Sequence, residues 1–210
     1  MPPKGAPSKS RYSLTYFNVR ARGELSRLLF TQAGIAFEDI RVEQADWPKL
    51  KPDTPNGTLP VLNVDGKKFG QSMAIARYLA AEFGLYGKTK LDNLAADEML
   101  CEIVDLMTEV FKPIFEQDAA KKAELSKKLD ETTIPGFLKR VEGKIGKSGY
   151  IVGDGITVAD IGFLDVMSGI MGRGNTTCLD KFPKAKALME KVKSQPKLKA
   201  YLAKRPDSQM

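Results

Sequence analysis

The chain runs to 210 residues with an apolar fraction of 42%, enough to bury one large core or two small ones, and no stretch nears the ~18 apolar residues of a membrane helix. Its formal charge of +7, from 33 basic and 26 acidic residues, is spread along the chain without the dense basic, aromatic-interleaved run of a nucleic-acid face. It contains no histidine, which excludes histidine general bases, Ser-His-Asp and Cys-His nucleophiles and HExxH metal sites at once, and its two distant cysteines, Cys101 and Cys178, can build neither a disulfide framework nor a zinc site.

In chain order, residues 1–11 (MPPKGAPSKSR) have no apolar core and read as a disordered basic tail, not as a signal or transit peptide, on a cytoplasmic protein. Residues 12–17 alternate as a strand, and residues 23–33 carry Leu25, Leu28, Leu29 and Ala33 at helical spacing before a stop at Gly34. Residues 37–42 read as a second strand, and this β-α-β opening favours a parallel pair with a right-handed crossover. A loop with Pro48, Pro52, Pro55 and Pro60 leads into a hairpin, with strands at 61–64 and 67–69 joined by a type I′ turn at Asp65-Gly66. Ser72 then opens a helix that Gly84 stops.

The expected fold class is α/β plus all-α. A thioredoxin-like β-α-β-β-α domain covers 12–84, a linker 85–90, and an all-helical domain 91–210, with helices near 91–118, 122–146, 157–170, 183–194 and 196–204. Thr157 and Asp160 stand in a capping-box pattern before an apolar helical run, which is a structural signal. Both cysteines read as small packing residues.

Five segments carry a more specific signal: LTYFNVRAR (14–22), EQADWPKLKP (43–52), TLPVL (58–62), GQSMAIARYLA (70–80) and TVAD (157–160). In this order and spacing the chain resembles the sigma class of glutathione transferases, near the prostaglandin D synthase and cephalopod S-crystallin branch, over nearly all of 12–206. The resemblance implies a catalytic Tyr16, at the C-terminal end of the first strand where ligands of open α/β sheets bind, with Arg22 beside it. Its phenol would hold the sulfur of glutathione as thiolate. A free thiol has a pKa near ~8.5, and lowering it by about two units takes roughly 2.7 kcal/mol. A hydrogen bond to a charged group supplies about 1.5–3 kcal/mol, and the electropositive N-terminus of the first helix adds to it.

Glutathione, the implied co-substrate, has two carboxylates and one ammonium. The resemblance assigns its glycyl end to Trp47 and Lys51, its peptide edge to Gly57, Thr58 and a cis step at Leu59-Pro60, and its γ-glutamyl carboxylate to Gln71 and Ser72 at a helix N-terminus. Asp105 would reach the ammonium from the partner subunit of a homodimer with C2 symmetry. Phe17, Val19, Val104, Met107 and Phe111 would line the pocket for a small hydrophobic electrophile, together with Arg22 and side chains of the helix after Thr157. The expected role is conjugation of such electrophiles, in the manner of a detoxification enzyme, with no metal, nucleic acid or membrane span involved.

Two departures from the prostaglandin D synthase branch stand out. Lys112 occupies the place of its pocket tryptophan, and Cys101 and Val104 replace acids that bind a divalent ion there. They weigh against prostaglandin isomerisation and against activation by a divalent ion; isomerisation stays an alternative beside a structural, S-crystallin-like or interaction role on the same fold.

Overall fold

The computed structural model describes residues 11–206; of the tail expected over 1–11, residues 1–10 lie outside the described residues, and Arg11 is not part of a tail, since it pairs with Asp65 at 3.0 Å and Glu82 at 3.2 Å. Alternation in the first strand, β1 (Tyr12–Phe17), buries Tyr12, Leu14 and Tyr16 on one face. Helix α1 (Ala21–Ala33) returns the chain to β2 (Glu38–Val42), which pairs in parallel with β1 from Ser13 opposite Glu38 to Phe17 opposite Val42. Strand β3 (Val61–Val64) runs antiparallel to β1 with Leu14 opposite Leu62, and β4 (Lys67–Phe69) completes the order β2-β1-β3-β4. Between β3 and β4, Asp65 and Gly66 have φ of 50° and 89°, the two positive values that a type I′ hairpin turn requires.

The loop before β3 is more ordered than its prolines imply. It holds a short helix, α2 (Trp47–Leu50), and a 3-10 turn at Lys51–Asp53, because proline in a first helical turn gives up only a donor that has no partner there. Helix α3 (Ser72–Glu82) closes the thioredoxin-like unit.

The second half is helical: α4 (Lys90–Phe115), α5 (Ala119–Lys128), α6 (Ile134–Lys144), α7 (Val158–Met171), α8 (Pro183–Lys193) and α9 (Pro196–Lys204). Where the pattern reads as one helix over 122–146, the chain forms α5, a π turn at Leu129–Thr133, and α6. Pro135 is the reason, since its ring and missing N–H cannot continue the α-helical ladder. Asp118 ends the preceding stretch earlier than expected by accepting the Lys121 N–H at 2.8 Å as the cap of α5.

Two helices organise the interior. Helix α7 is buried over most of its length and packs on α1, α4 and α8. Helix α1 is buried without a break from Gly23 to Phe30, between β1, α3, α7 and α9, so it is the wall that the α/β unit and the helices share. The capping box at Thr157 and Asp160 does more than start α7. The buried Asp160 accepts the Thr157 N–H and, across the preceding loop, the Ile151 N–H, each at 2.8 Å. Asp160→Ala should therefore cost about 2–4 kcal/mol, combining a lost cap with a stranded buried donor. Equilibrium urea unfolding measures this, and a loss under about 0.5 kcal/mol would show that neither bond contributes.

Candidate active site

Strand β1 delivers Tyr16 to the first turn of α1. Its ring lies on Gly23 so closely that a Cβ there would stand 2.4 Å from Tyr16 Cδ1, a contact no side chain tolerates. The phenol oxygen accepts the Arg22 N–H at 3.2 Å. That N–H is one of the donors a helix start leaves without an internal partner, and α1 has no side-chain cap to take it, its N-cap being Arg20. The phenol thus has an acceptor lone pair occupied by the protein, and its one proton is left to donate.

Burial pushes the Tyr16 pKa above its ordinary value, opposed by the Arg22 N–H and by the charges of Arg22 and Arg27. Desolvation favours the neutral phenol, so Tyr16 stays a donor through neutral pH. Ala21, in the turn that aims it, has φ of 31°, left-handed backbone that a non-glycine residue occupies only under constraint.

A second helix start faces the same side. Ser72 is the first helical residue of α3 and not its cap; the cap position falls to Gln71, at φ 68° and ψ 102°, with no side-chain bond. The first N–H groups of α3 are therefore open to an anion, and the buried Ser72 lies beside them. The loop carrying α2 folds against this corner. Phe17 meets Trp47 edge-on at 5.6 Å between ring centroids, the Lys51 stem lies beside Gly57, and the Asn56 amide lies beside Gly70. The Leu59–Pro60 bond is cis, as expected. Tyr16, Trp47, Lys51, Gly57, Leu59, Gln71 and Ser72 so belong to one end of the sheet, with the exposed Arg22 in the first turn of α1 and the exposed Thr58 in the loop before β3.

Asp105 is elsewhere. It is exposed on α4, in a depression shared with Thr133, Phe137 and Arg140, and does not join Tyr16 within the chain. Of the residues expected to line an electrophile pocket, Met107 lies with Val110 of α4, Arg20 and Ala21 of the first turn and Asp165 of α7 around one small cavity. Phe17 is on the Trp47 side of Tyr16, and Val19 lends its carbonyl to Arg27. Val104 is half-buried, and Phe111 leans on Phe115 at 6.1 Å.

Several residues of the site escape a reading of the sequence. Gly23 carries no motif signal of its own, and Arg27 reads as a surface cation although it is wholly buried under the Tyr16 turn. Asp165, whose carboxyl is raised well above its usual range chiefly by burial and then by the charge of Glu24, looks like one acid on an apolar helix.

The family model described as the N-terminal domain of glutathione S-transferase matches residues 12–81, and that of the C-terminal domain matches 104–205. The chain is 40% identical to hematopoietic prostaglandin D synthase of Gallus gallus, over 93% of this chain and 96% of that protein. It is 37% identical to S-crystallin SL11 of Nototodarus sloanii, covering 92% and 96% respectively. In structure it is similar to a monomeric glutathione S-transferase, Na-GST-3, of the hookworm Necator americanus, with a TM-score of 0.89 and 36% identity over 95% of this chain and 100% of that one.

The raised Tyr16 pKa gives a direct test on the protein alone. The difference in tyrosinate absorbance between the natural protein and Tyr16→Phe should develop only above pH ~10, the ordinary phenol value. A difference already present near neutral pH would mean that the site holds a phenolate and not a donor.

Proposed function

The chain belongs to the glutathione S-transferase family, and we propose that it transfers the thiolate of glutathione to small hydrophobic electrophiles, with Tyr16 as the hydrogen-bond donor that stabilises the thiolate. The observation that carries this reading is the Tyr16 phenol: its oxygen accepts the Arg22 N–H and its pKa is raised, which leaves it a neutral phenol able to donate its proton to a bound anion. Sulfur then attacks the electrophilic atom, forming a carbon–sulfur bond as a halide leaves, or, with an unsaturated carbonyl, as the resulting carbanion takes a proton from water. The uncapped start of α3 at Gln71 and Ser72 would receive the γ-glutamyl carboxylate, and Trp47 and Lys51 the glycyl end, with the main chain of Gly57, Thr58 and Leu59, next to Pro60, along the peptide. Phe17, Val19, Val104, Met107 and Phe111 would face the electrophile.

The reading includes a sigma-type homodimer in the cytoplasm, acting in detoxification. Phe69 and Tyr78 on the α/β unit and Leu91 and Leu94 on α4 are large apolar side chains left 37–76% exposed, which favours burial against a second copy. Leu91, Leu94, Cys101 and Asp105 recur at helical spacing along α4, so a partner seated there would meet Asp105, whose place away from its own Tyr16 fits a contact to the other subunit's glutathione ammonium. Glutathione-dependent prostaglandin isomerisation is the second reading, favoured by the 40% identical relative; Lys112, exposed and ion-paired with Glu109, is a charged side chain where that branch has an aromatic one.

Tyr16→Phe leaves ring packing in place and removes one donor to the anion, so the conjugation rate should fall roughly ten- to a hundred-fold, the equivalent of about 1.5–3 kcal/mol. The apparent pKa of bound glutathione, followed by ultraviolet thiolate absorbance, should rise toward ~8.5, with part of the rate recovered at high pH. An unmoved thiolate titration would assign the activation to another group. Asp105→Asn should weaken glutathione binding while sedimentation still shows the dimer, and unaltered affinity in the dimer would refute the trans contact.

A further inference from the structure

Beneath the Tyr16 turn lies a chain of buried charge that the reaction outlined above does not use. Arg27, with no solvent exposure, donates from Nη1 to the Val19 carbonyl at 2.8 Å and from Nη2 to the Phe17 carbonyl at 3.4 Å. These two carbonyls lie on either side of Asn18, in the stretch that leads from Tyr16 into α1. The same guanidinium lies 5.8 Å from the centre of the Tyr16 ring and is held on its other edges by Asp39 of β2 at 3.0 Å and by Glu24, one turn back on α1, at 3.3 Å. Glu24 is also buried, and its second oxygen accepts from Tyr201 at 3.1 Å and Arg205 at 3.0 Å. Tyr201 belongs to α9, and Arg205 follows it directly. A continuous series of bonds therefore joins the far end of the helical domain to the turn that aims the phenol.

We propose that Arg27 is a positioning residue for Tyr16, and that Tyr201 of the C-terminal helix and Arg205 just after it hold it in place through Glu24, making the C-terminal end of the helical domain part of the apparatus that stabilises the thiolate. The inference rests on the role given to Tyr16 above.

Two physical effects run in the same direction. A buried carboxylate that loses its outer partners is left with an expensive negative charge, which pulls on Arg27 and loosens its hold on the two carbonyls. That charge also makes the field around Tyr16 more negative, which disfavours an anion there. The groups facing this field are Arg20, Arg22, Glu24 and Arg27 of α1 and its turn, Asp39 and Arg41 of β2, Asp165 of α7, and Tyr201 and Arg205. Burial raises the pKa of the Tyr201 phenol and lifts that of the Asp165 carboxyl well above its usual range, which disfavours negative charge on either, and Arg205 is the outermost cation bonded to Glu24.

The test uses Arg205→Gln, and Arg205→Gln combined with Tyr201→Phe, in the full chain, with thermal melting to confirm folding. The bound thiol's apparent pKa should rise by about half to one unit and kcat at neutral pH should fall about three- to ten-fold. KM for glutathione should stay within about two-fold, since the carboxylates are held by other residues. Arg205→Lys, which keeps the charge, should recover most of both. In ligand-free protein, the Tyr16 phenol should titrate at higher pH in Arg205→Gln than in the natural chain, a readout that does not depend on transferase activity. If the natural protein's thiolate does not depend on Tyr16, the mechanism above fails while this phenol titration still reports positioning. Should both variants melt normally with the phenol titration, thiolate titration and kcat unmoved, the last helix has no part in positioning Tyr16 and the proposal is wrong.

Discussion

A guanidinium sealed from solvent is the constraint around which the rest is arranged. Placing Arg27 beneath the sheet is costly in isolation, and the cost is offset only because every edge of its fork finds an acceptor: two turn carbonyls, Asp39 and Glu24. Those acceptors come from the β1–α1 turn, β2 and α1 itself, so satisfying one side chain fixes three elements relative to one another. Helix α1 can then be buried on both sides, against the sheet unit and against α7 and α9. The junction between the α/β unit and the helices is a by-product of that burial.

The helices divide by how their first donors are satisfied. Thr89 with Asp92 starts α4, Asp118 starts α5, and Thr157 with Asp160 starts α7, each with a side chain of the chain itself. Helices α2, α6, α8 and α9 place a proline in the first turn, which removes a donor instead of satisfying it. Among the helices of the described residues, only α1 and α3 have neither device, and their N-caps, Arg20 and Gln71, make no side-chain cap bond. Both also have a non-glycine residue with positive φ at the entry, Ala21 and Gln71. Local strain marks both helix starts that face Tyr16 and the α2 loop; at α1 the Arg22 N–H goes to the Tyr16 phenol in place of a cap, and at α3 the first donors stay open, so binding an anion there can recover what folding leaves unsatisfied.

Strand alternation, the Asp65-Gly66 turn, the stop at Gly34 and the position of Tyr16 at the end of β1 were legible because each depends on neighbours within a few residues. The capping box of Thr89 and Asp92 escapes that reading, because Thr89 lies in what reads as a linker. The break of the long second-domain helix depended on how Pro135 would be absorbed, by a π turn or a stop, and local pattern does not distinguish them. Glu24 and Arg27 were illegible for a different reason. An acid and a base one turn apart on a helix normally mark a solvated face, and only the tertiary position of α1, covered on both sides, turns them into interior residues. Asp105 could be placed on a helix by its spacing, yet its partner lies outside a single chain.

On the mechanism proposed above, the thiolate is made without histidine, by groups that change little in charge at neutral pH. A phenol that stays protonated, a backbone N–H, a helix start and a set of arginines are all of this kind, so the site has fixed electrostatics and no acid–base cycle of its own. Such a site works only as well as its geometry, because a hydrogen bond weakens steeply as its donor angle departs from linearity. This explains why the ring of Tyr16 is seated on a glycine with no room for a methyl group, with its oxygen anchored by Arg22 and its turn anchored by Arg27. The preorganisation that general-base enzymes invest partly in a titrating residue is here invested wholly in packing, and it reaches across α1 to the last turn of the helical domain.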